Sequence, residues 1–169
     1  MTVLSFDPSF LAYGYAAIED GKLKLCGRIN LPKREVGELL SDYDTRCLKA
    51  IGDELQEHIN VYKPDAIYLE HPVGSKSSRA AQTLGYVKGL TLGICIANSI
   101  QYTTIKAITV KMKLTGRRNA SKADIISAVS DEFPNFVVLT KGWTQTDREA
   151  ASDAAAVYLG IKKLEVKKS

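Results

Sequence analysis

Residues 2–30 read TVLSFDPSFLAYGYAAIEDGKLKLCGRIN, and their order decides the fold class. The apolar run from Thr2 to Phe6 is rich in strand formers and stops at Asp7-Pro8, where proline forbids further ladder pairing. Two more strands are predicted, Ala12 to Ile18 and Lys22 to Asn30. They flank Glu19-Asp20-Gly21, and an Asp-Gly turn between such segments marks a hairpin. The sheet therefore begins antiparallel.

Further along the chain the period changes. Leu48, Ile51, Leu55 and Ile59 recur at helical spacing between Asp42 and Val61, just before Lys63-Pro64. Pro64 to Leu69 reads as a short buried strand that again ends in a carboxylate, Glu70, followed by Pro72. Residues 79–99 are small and apolar, with Gly85, Gly89 and Gly93 four apart, which on a helix makes one smooth face. Ser121 to Phe133 predicts a helix with Ser121 as N-cap and Ile125, Ile126 and Val129 inward. A last helix is predicted from Thr146 to Leu164. With no repeat or linker, this alternation predicts one α/β domain over residues 1–169 with a mixed sheet, and 162–169 as a basic C-terminal tail.

Composition narrows the function. The chain has 169 residues, 45% hydrophobic and 25% charged, as an ordinary globular domain does. Gly89 to Ile100 is the longest weakly polar stretch and falls short of the roughly 20 residues that cross a bilayer, so no membrane partner is expected. The N-terminal residues lack the basic segment of a secretory signal. Cys26, Cys47 and Cys95 show neither CxxC spacing nor an even count, which predicts a reducing cytoplasm and no zinc site. From His71 to Ala123 there is no Asp or Glu, while Lys76, Arg79, Lys88, Lys106, Lys111, Lys113, Arg117, Arg118 and Lys122 supply nine positive charges. A purely basic window in a near-balanced chain points to an anionic polymer, because clustered cations on phosphates release counterions.

The acids point to the chemistry. Asp7 and Glu70 sit where strands end, which is where open α/β sheets place ligands. Asp153 follows on a small-residue helix that looks buried, with Glu149 four residues earlier on the same face. Converging carboxylates repel one another unless a cation neutralises them, and Mg²⁺ takes a few such oxygens together with substrate phosphates. Two such ions would activate a water and stabilise the leaving oxygen of a phosphodiester. Each acid also has a structural reading. Asp7 can form a turn, Glu70 can pair with a lysine, and Thr146-Asp147-Arg148-Glu149 fits a capping box in which Glu149 would only bond a backbone amide. Asp147 and Asp124 read as helix-start residues, His58 as a surface residue, and His71 as a neighbour supporting Glu70.

The same residues carry a family resemblance. Phe6-Asp7-Pro8-Ser9 with Gly14-Tyr15, Tyr62-Lys63-Pro64-Asp65 leading to Leu69-Glu70, and Leu84-Gly85 with Gly89 resemble RuvC-type Holliday junction resolvases. Val110-Lys111, Leu114-Thr115-Gly116, Ala120-Ser121-Lys122 and Asp153-Ala154 continue the order, from residue 3 to about 160. The resemblance implies an RNase H-like mixed sheet flanked by helices, a homodimer, and Mg²⁺- or Mn²⁺-dependent nicking of four-way DNA junctions. It implies no small-molecule cofactor. Its acids fall on Asp7, Glu70 and Asp153, and its basic residues near the scissile phosphate on Lys111 and Lys122. The chain departs at Ala150, where the family pattern has an acid or histidine, and at Val73, where cellular members have an aromatic residue. Glu149 stands beside the first of these as a substitute. The divergence resembles a phage-encoded relative acting in the host cytoplasm on a broader range of branched DNA. Other readings are an RNase H-type nuclease on RNA–DNA hybrids and a non-catalytic junction binder. An actin-like ATPase would need a second half and glycine-rich phosphate loops that the chain lacks.

Overall fold

The computed structural model describes residues 1–71 and 77–166. Its framework is a five-stranded sheet in the order β3-β2-β1-β4-β5. The strands β1 (Thr2–Asp7), β2 (Gly14–Glu19) and β3 (Lys22–Arg28) run antiparallel, as the Asp-Gly turn predicts. Asp20 and Gly21 both take positive φ, 49° and 77°, the pairing that a tight hairpin with right-handed twist requires. Beyond β1 the sheet turns parallel. Helix α1 (Leu40–Tyr62) returns the chain to β4 (Ala66–His71), which pairs with β1, and α2 (Ser78–Ala97) carries it on to β5 (Gln101–Lys106) at the edge.

Helices cover both faces. On one, α1 and α2 pack Ile51, Leu55 and Val87 against Leu4, Phe6, Ile67 and Leu69 of the central strands. On the other lie α3 (Ala107–Thr115), α4 (Lys122–Glu132), the single turn α5 (Phe136–Leu139) and α6 (Gln145–Glu165). Helix α6 crosses β1 to β4 and is buried almost continuously from Ala150 to Ile161. Its alanines let it sit close. A β-carbon on Gly14 would fall on the Ala150 carbonyl, so that position needs glycine for contact with α6. Ser5 donates from Oγ to the Ala154 carbonyl at 2.6 Å and ties α6 to β1.

Several expectations are corrected. Residues 101–115 carry β5 and α3, although their sequence predicts no element. Gln101 to Thr104 are all exposed, so this edge strand shows no apolar alternation. His58 is not at the surface. It is buried, its ring 4.3 Å from that of Tyr15 and 6.3 Å from that of Tyr62, and burial holds it below the ordinary histidine range. Lys162 and Lys163 do not begin a tail: they lie in the last turn of α6 and pair with Glu165 and Glu132. Lys167 and Lys168 lie outside the described residues.

Candidate active site

Alternation along the strands places the first two acids. Val3 and Ser5 face α6, so Asp7 at the end of β1 faces it as well. On β4, Ala66 and Tyr68 face the same side, and Glu70 follows them. Phe6 pairs with Leu69, which sets Asp7 beside Glu70 at the carboxyl ends of two parallel strands. Helix α6 then lowers Asp153 onto them from above. Together with Ala107, Val110, Lys111, Lys122, Ile125 and Ala156, these three acids line a cleft of about 210 Å³.

Lys122, the first residue of α4, is held there by the cap beneath it. Ser121 accepts from the Asp124 amide, while the Asp124 carboxylate accepts from the Ser121 amide at 2.8 Å. From this position the Lys122 ammonium pairs with Asp153. Burial alone would lower that ammonium, but Asp153, with Asp7 and Glu70 beyond it, holds it above its ordinary value.

The cluster is electrostatically expensive. Burial first and the Asp153 charge second push Asp7 up to about 7, against the opposing pull of Lys122. Burial, Asp7 and Asp153 push Glu70 up to about 8. Asp153 is raised as well, mainly by burial, even though Lys122 is paired with it. Lys122, even with Lys111 in the same cleft, does not neutralise three desolvated carboxylates. As the side chains stand, no three His, Cys, Asp or Glu residues among those described are set to hold a metal ion. The donor chemistry nevertheless fits a hard divalent cation: carboxylate oxygens only, crowded, short of positive charge and open to solvent on one side.

Glu149 lies one turn before Asp153 and outside the cleft wall. Its Oε1 accepts from Gln145 Nε2 at 2.8 Å, and its charge adds to the rise at Asp153. It is not the helix cap. That role falls to Thr144, whose Oγ1 accepts from the Asp147 amide and donates to Asp147 Oδ2 at 2.6 Å. Asp147 also pairs with Arg28 at 2.8 Å. Asp124 is a helix-start residue, as its sequence position predicts.

The basic window does not converge on one spot. Lys111 and Lys122 reach the cleft. Lys88 Nζ lies 3.3 Å from Nδ1 of His71, the residue after Glu70, and neither side chain lines the cleft. Arg79 pairs with the buried Asp44, and Arg117 with Asp124 at 2.7 Å. Lys106 and Arg118 are exposed, Lys113 lines a separate groove, and Lys76 and Val73 lie outside the described residues. Ser5 and Gly14 set the depth of α6, and so of Asp153. In the sequence their signal is a serine inside an apolar strand and a glycine opening one.

The chain and its fold have counterparts. Residues 3–160 match the crossover junction endodeoxyribonuclease RuvC family. The chain belongs to that family. A relative from Caldicellulosiruptor saccharolyticus, named crossover junction endodeoxyribonuclease RuvC, is 30% identical over 125 residues, 74% of each chain. The RuvC of Thermus thermophilus in complex with a Holliday junction superposes with a TM-score of 0.74 at 18% identity, over 99% of this chain and 96% of that one. The yeast mitochondrial Holliday junction resolvase Ydc2 gives 0.71 at 12% identity, over 98% and 79%. These structures share the RNase H-like fold. RuvC membership carries divalent-metal dependence as a general property. No helix among the described residues is long and apolar enough to cross a membrane.

Proposed function

We propose that this RuvC relative is a structure-selective endonuclease that nicks four-way DNA junctions, with Asp7, Glu70 and Asp153 holding two divalent ions, Mg²⁺ or Mn²⁺, and Glu149 supporting them from the next turn. The observation that carries this reading is the crowding of three desolvated carboxylates against two lysines, Lys111 and Lys122, of which Lys122 is paired with Asp153. A protein that merely bound junctions would gain nothing from negative charge facing phosphate. When bound there, divalent cations supply an activated water and neutralise charge on the phosphodiester.

The chain's own residues perform the remaining work. The strand ends fix Asp7 and Glu70 side by side, and the clamp from Ser5 to Ala154 keeps Asp153 above them. Lys122, paired with Asp153, and Lys111 both line the cleft, and with cations held by the acids they would contact the phosphate and stabilise its developing charge. Lys106 and Arg118 offer exposed contacts to the flanking backbone, while Arg79 and Arg117 are committed to Asp44 and Asp124.

Two nicks on strands of like polarity call for two sites related by a dyad. Helix α2 supports a homodimer. It buries Thr83, Val87, Thr91 and Cys95 within its own subunit and turns Gly85, Gly89 and Gly93 outward, with open space above each. Exposed Tyr86 and Ile96 belong to the same helix.

The test is incubation of the purified protein with a four-way junction, a replication fork, a linear duplex and an RNA–DNA hybrid, each with Mg²⁺ or with chelator. Paired nicks in the junction that need Mg²⁺ support the reading. Preferential cutting of the hybrid would transfer it to RNase H-type chemistry, and metal-independent binding without cutting would make it a junction binder.

A further inference from the structure

A second concavity, larger than the cleft, lies at the other end of the sheet. It holds about 550 Å³ and is walled by α3, the end of α4 and the last turns of α6. Gly21, in the β2–β3 turn, touches it. That turn is tied to the start of β1 by the Met1 amine on Asp20 at 2.5 Å, whereas Asp7 ends the same strand. Six residues of strand span roughly 20 Å, so an occupant of this groove leaves the cleft open to DNA.

The floor is apolar. Phe133, Tyr158 and Leu159 form it and Met112 overhangs it, 40% exposed. The rings are held in place: Phe133 packs 6.1 Å from Tyr158, which stacks on Tyr68 at 6.0 Å. The rim carries three lysines, Lys113, Lys162 and Lys163, against one carboxylate, Glu132. Lys162 and Lys163 each share a carboxylate, Glu165 and Glu132, while Lys113 has no ion-pair partner among the described residues. The volume suits one or two large side chains, and the rim suits carboxylates beside them.

Neither the active site nor the glycine face of α2 uses this groove. Nucleic acid is the wrong occupant, because its phosphates would meet the apolar floor of Phe133, Tyr158 and Leu159. We propose that the groove docks an acidic peptide segment of another protein through one bulky apolar or aromatic side chain, with Lys113, Lys162 and Lys163 reading its carboxylates. Such a tether would bring the enzyme to a partner while its cleft remains free for DNA.

The probe is a fluorescein-labelled peptide, Asp-Glu-Asp-Gly-Leu-Phe, titrated with the full chain by fluorescence anisotropy. Binding in the micromolar range is expected, at least about tenfold weaker when Phe is replaced by Ser. Met112→Glu should weaken it about tenfold and Lys162→Glu about threefold or more, with melting temperature and junction affinity unchanged. Saturating peptide should not displace the junction. Peptide binding weaker than about 1 mM, or equal binding of the Ser peptide, would overturn the proposal. If the variants lose junction affinity, the groove belongs to DNA and the proposal fails. The exposed Met112→Glu carries the test should Lys162→Glu disturb the end of α6.

Discussion

Replacing Asp7 by asparagine should stabilise the metal-free protein while it abolishes cutting. The Asp7 carboxyl is raised from 3.8 to about 7, first by burial and then by Asp153. Folding therefore favours its protonated form. The penalty is absent below about pH 4, grows as pH rises toward 7, and is complete above that, where the unfolded chain carries the ionised group freely. Some three pKa units at about 1.4 kcal/mol each set a ceiling of about 4 kcal/mol. Side-chain relaxation toward the open side of the cleft and the nearby Lys122 reduce this to about 1 to 3 kcal/mol. For a chain of this length that is roughly 3 to 10 °C in melting temperature. Asparagine keeps the shape and does not titrate, so the advantage of Asp7→Asn should be small at pH 5 and largest at pH 8 in EDTA. Millimolar Mg²⁺ should raise the melting temperature of the native protein at pH 8 and close the gap, since a ligand that binds only the folded state stabilises it. Calorimetric scans at four pH values, with and without Mg²⁺, make the comparison. A variant that melts at or below the native protein at pH 8 in EDTA would refute the reasoning.

Glu149→Gln should leave the α6 cap intact, because Thr144 and Asp147 form it, and should reduce cleavage roughly 10- to 100-fold with junction binding retained; near-normal cleavage would remove Glu149 from the site. Lys122→Met should lower cleavage about 100-fold or more while binding falls far less, and should tighten Mn²⁺ binding by calorimetry because Asp153 loses its competing ammonium. Junction affinity should fall with salt at a log–log slope of about −4.5 if about five of the nine window cations contact phosphate. Gly89→Arg should keep or raise the melting temperature, since exposed helical glycine costs up to about 1 kcal/mol, but should shift the mass from dimer to monomer in sedimentation.

The gathering of the acids was more legible in the sequence than the edge of the sheet beside them. Asp7 and Glu70 each close an apolar strand, and odd and even positions alone put them on the α6 face. The alanines after Asp153 announce a helix packed close to the sheet. The sequence is silent where pattern and burial part company. Gln101 to Thr104 form an edge strand with nothing to bury, so β5 leaves no alternation to read, and with it goes α3, which walls the cleft. Thr144-x-x-Asp147 and Thr146-x-x-Glu149 are both capping frames in sequence. Only the path of the chain into α6 chooses the first. His58 looked like one polar residue on an exposed helix face, yet the ring of Tyr15 from the sheet covers it. Sequence does not reveal that two of the nine window cations, Arg79 and Arg117, answer Asp44 and Asp124.

The central claim is that the acids gathered at the ends of β1 and β4 cut branched DNA with divalent cations. Its most direct test is a four-way junction labelled on every strand, incubated with native protein or Glu70→Gln in Mg²⁺, with binding and cleavage read from the same samples. Native protein should give paired nicks on opposed strands, and Glu70→Gln should give bound but uncut junction. Cleavage retained by the variant, or native protein that cuts linear duplex as fast as the junction, would contradict it.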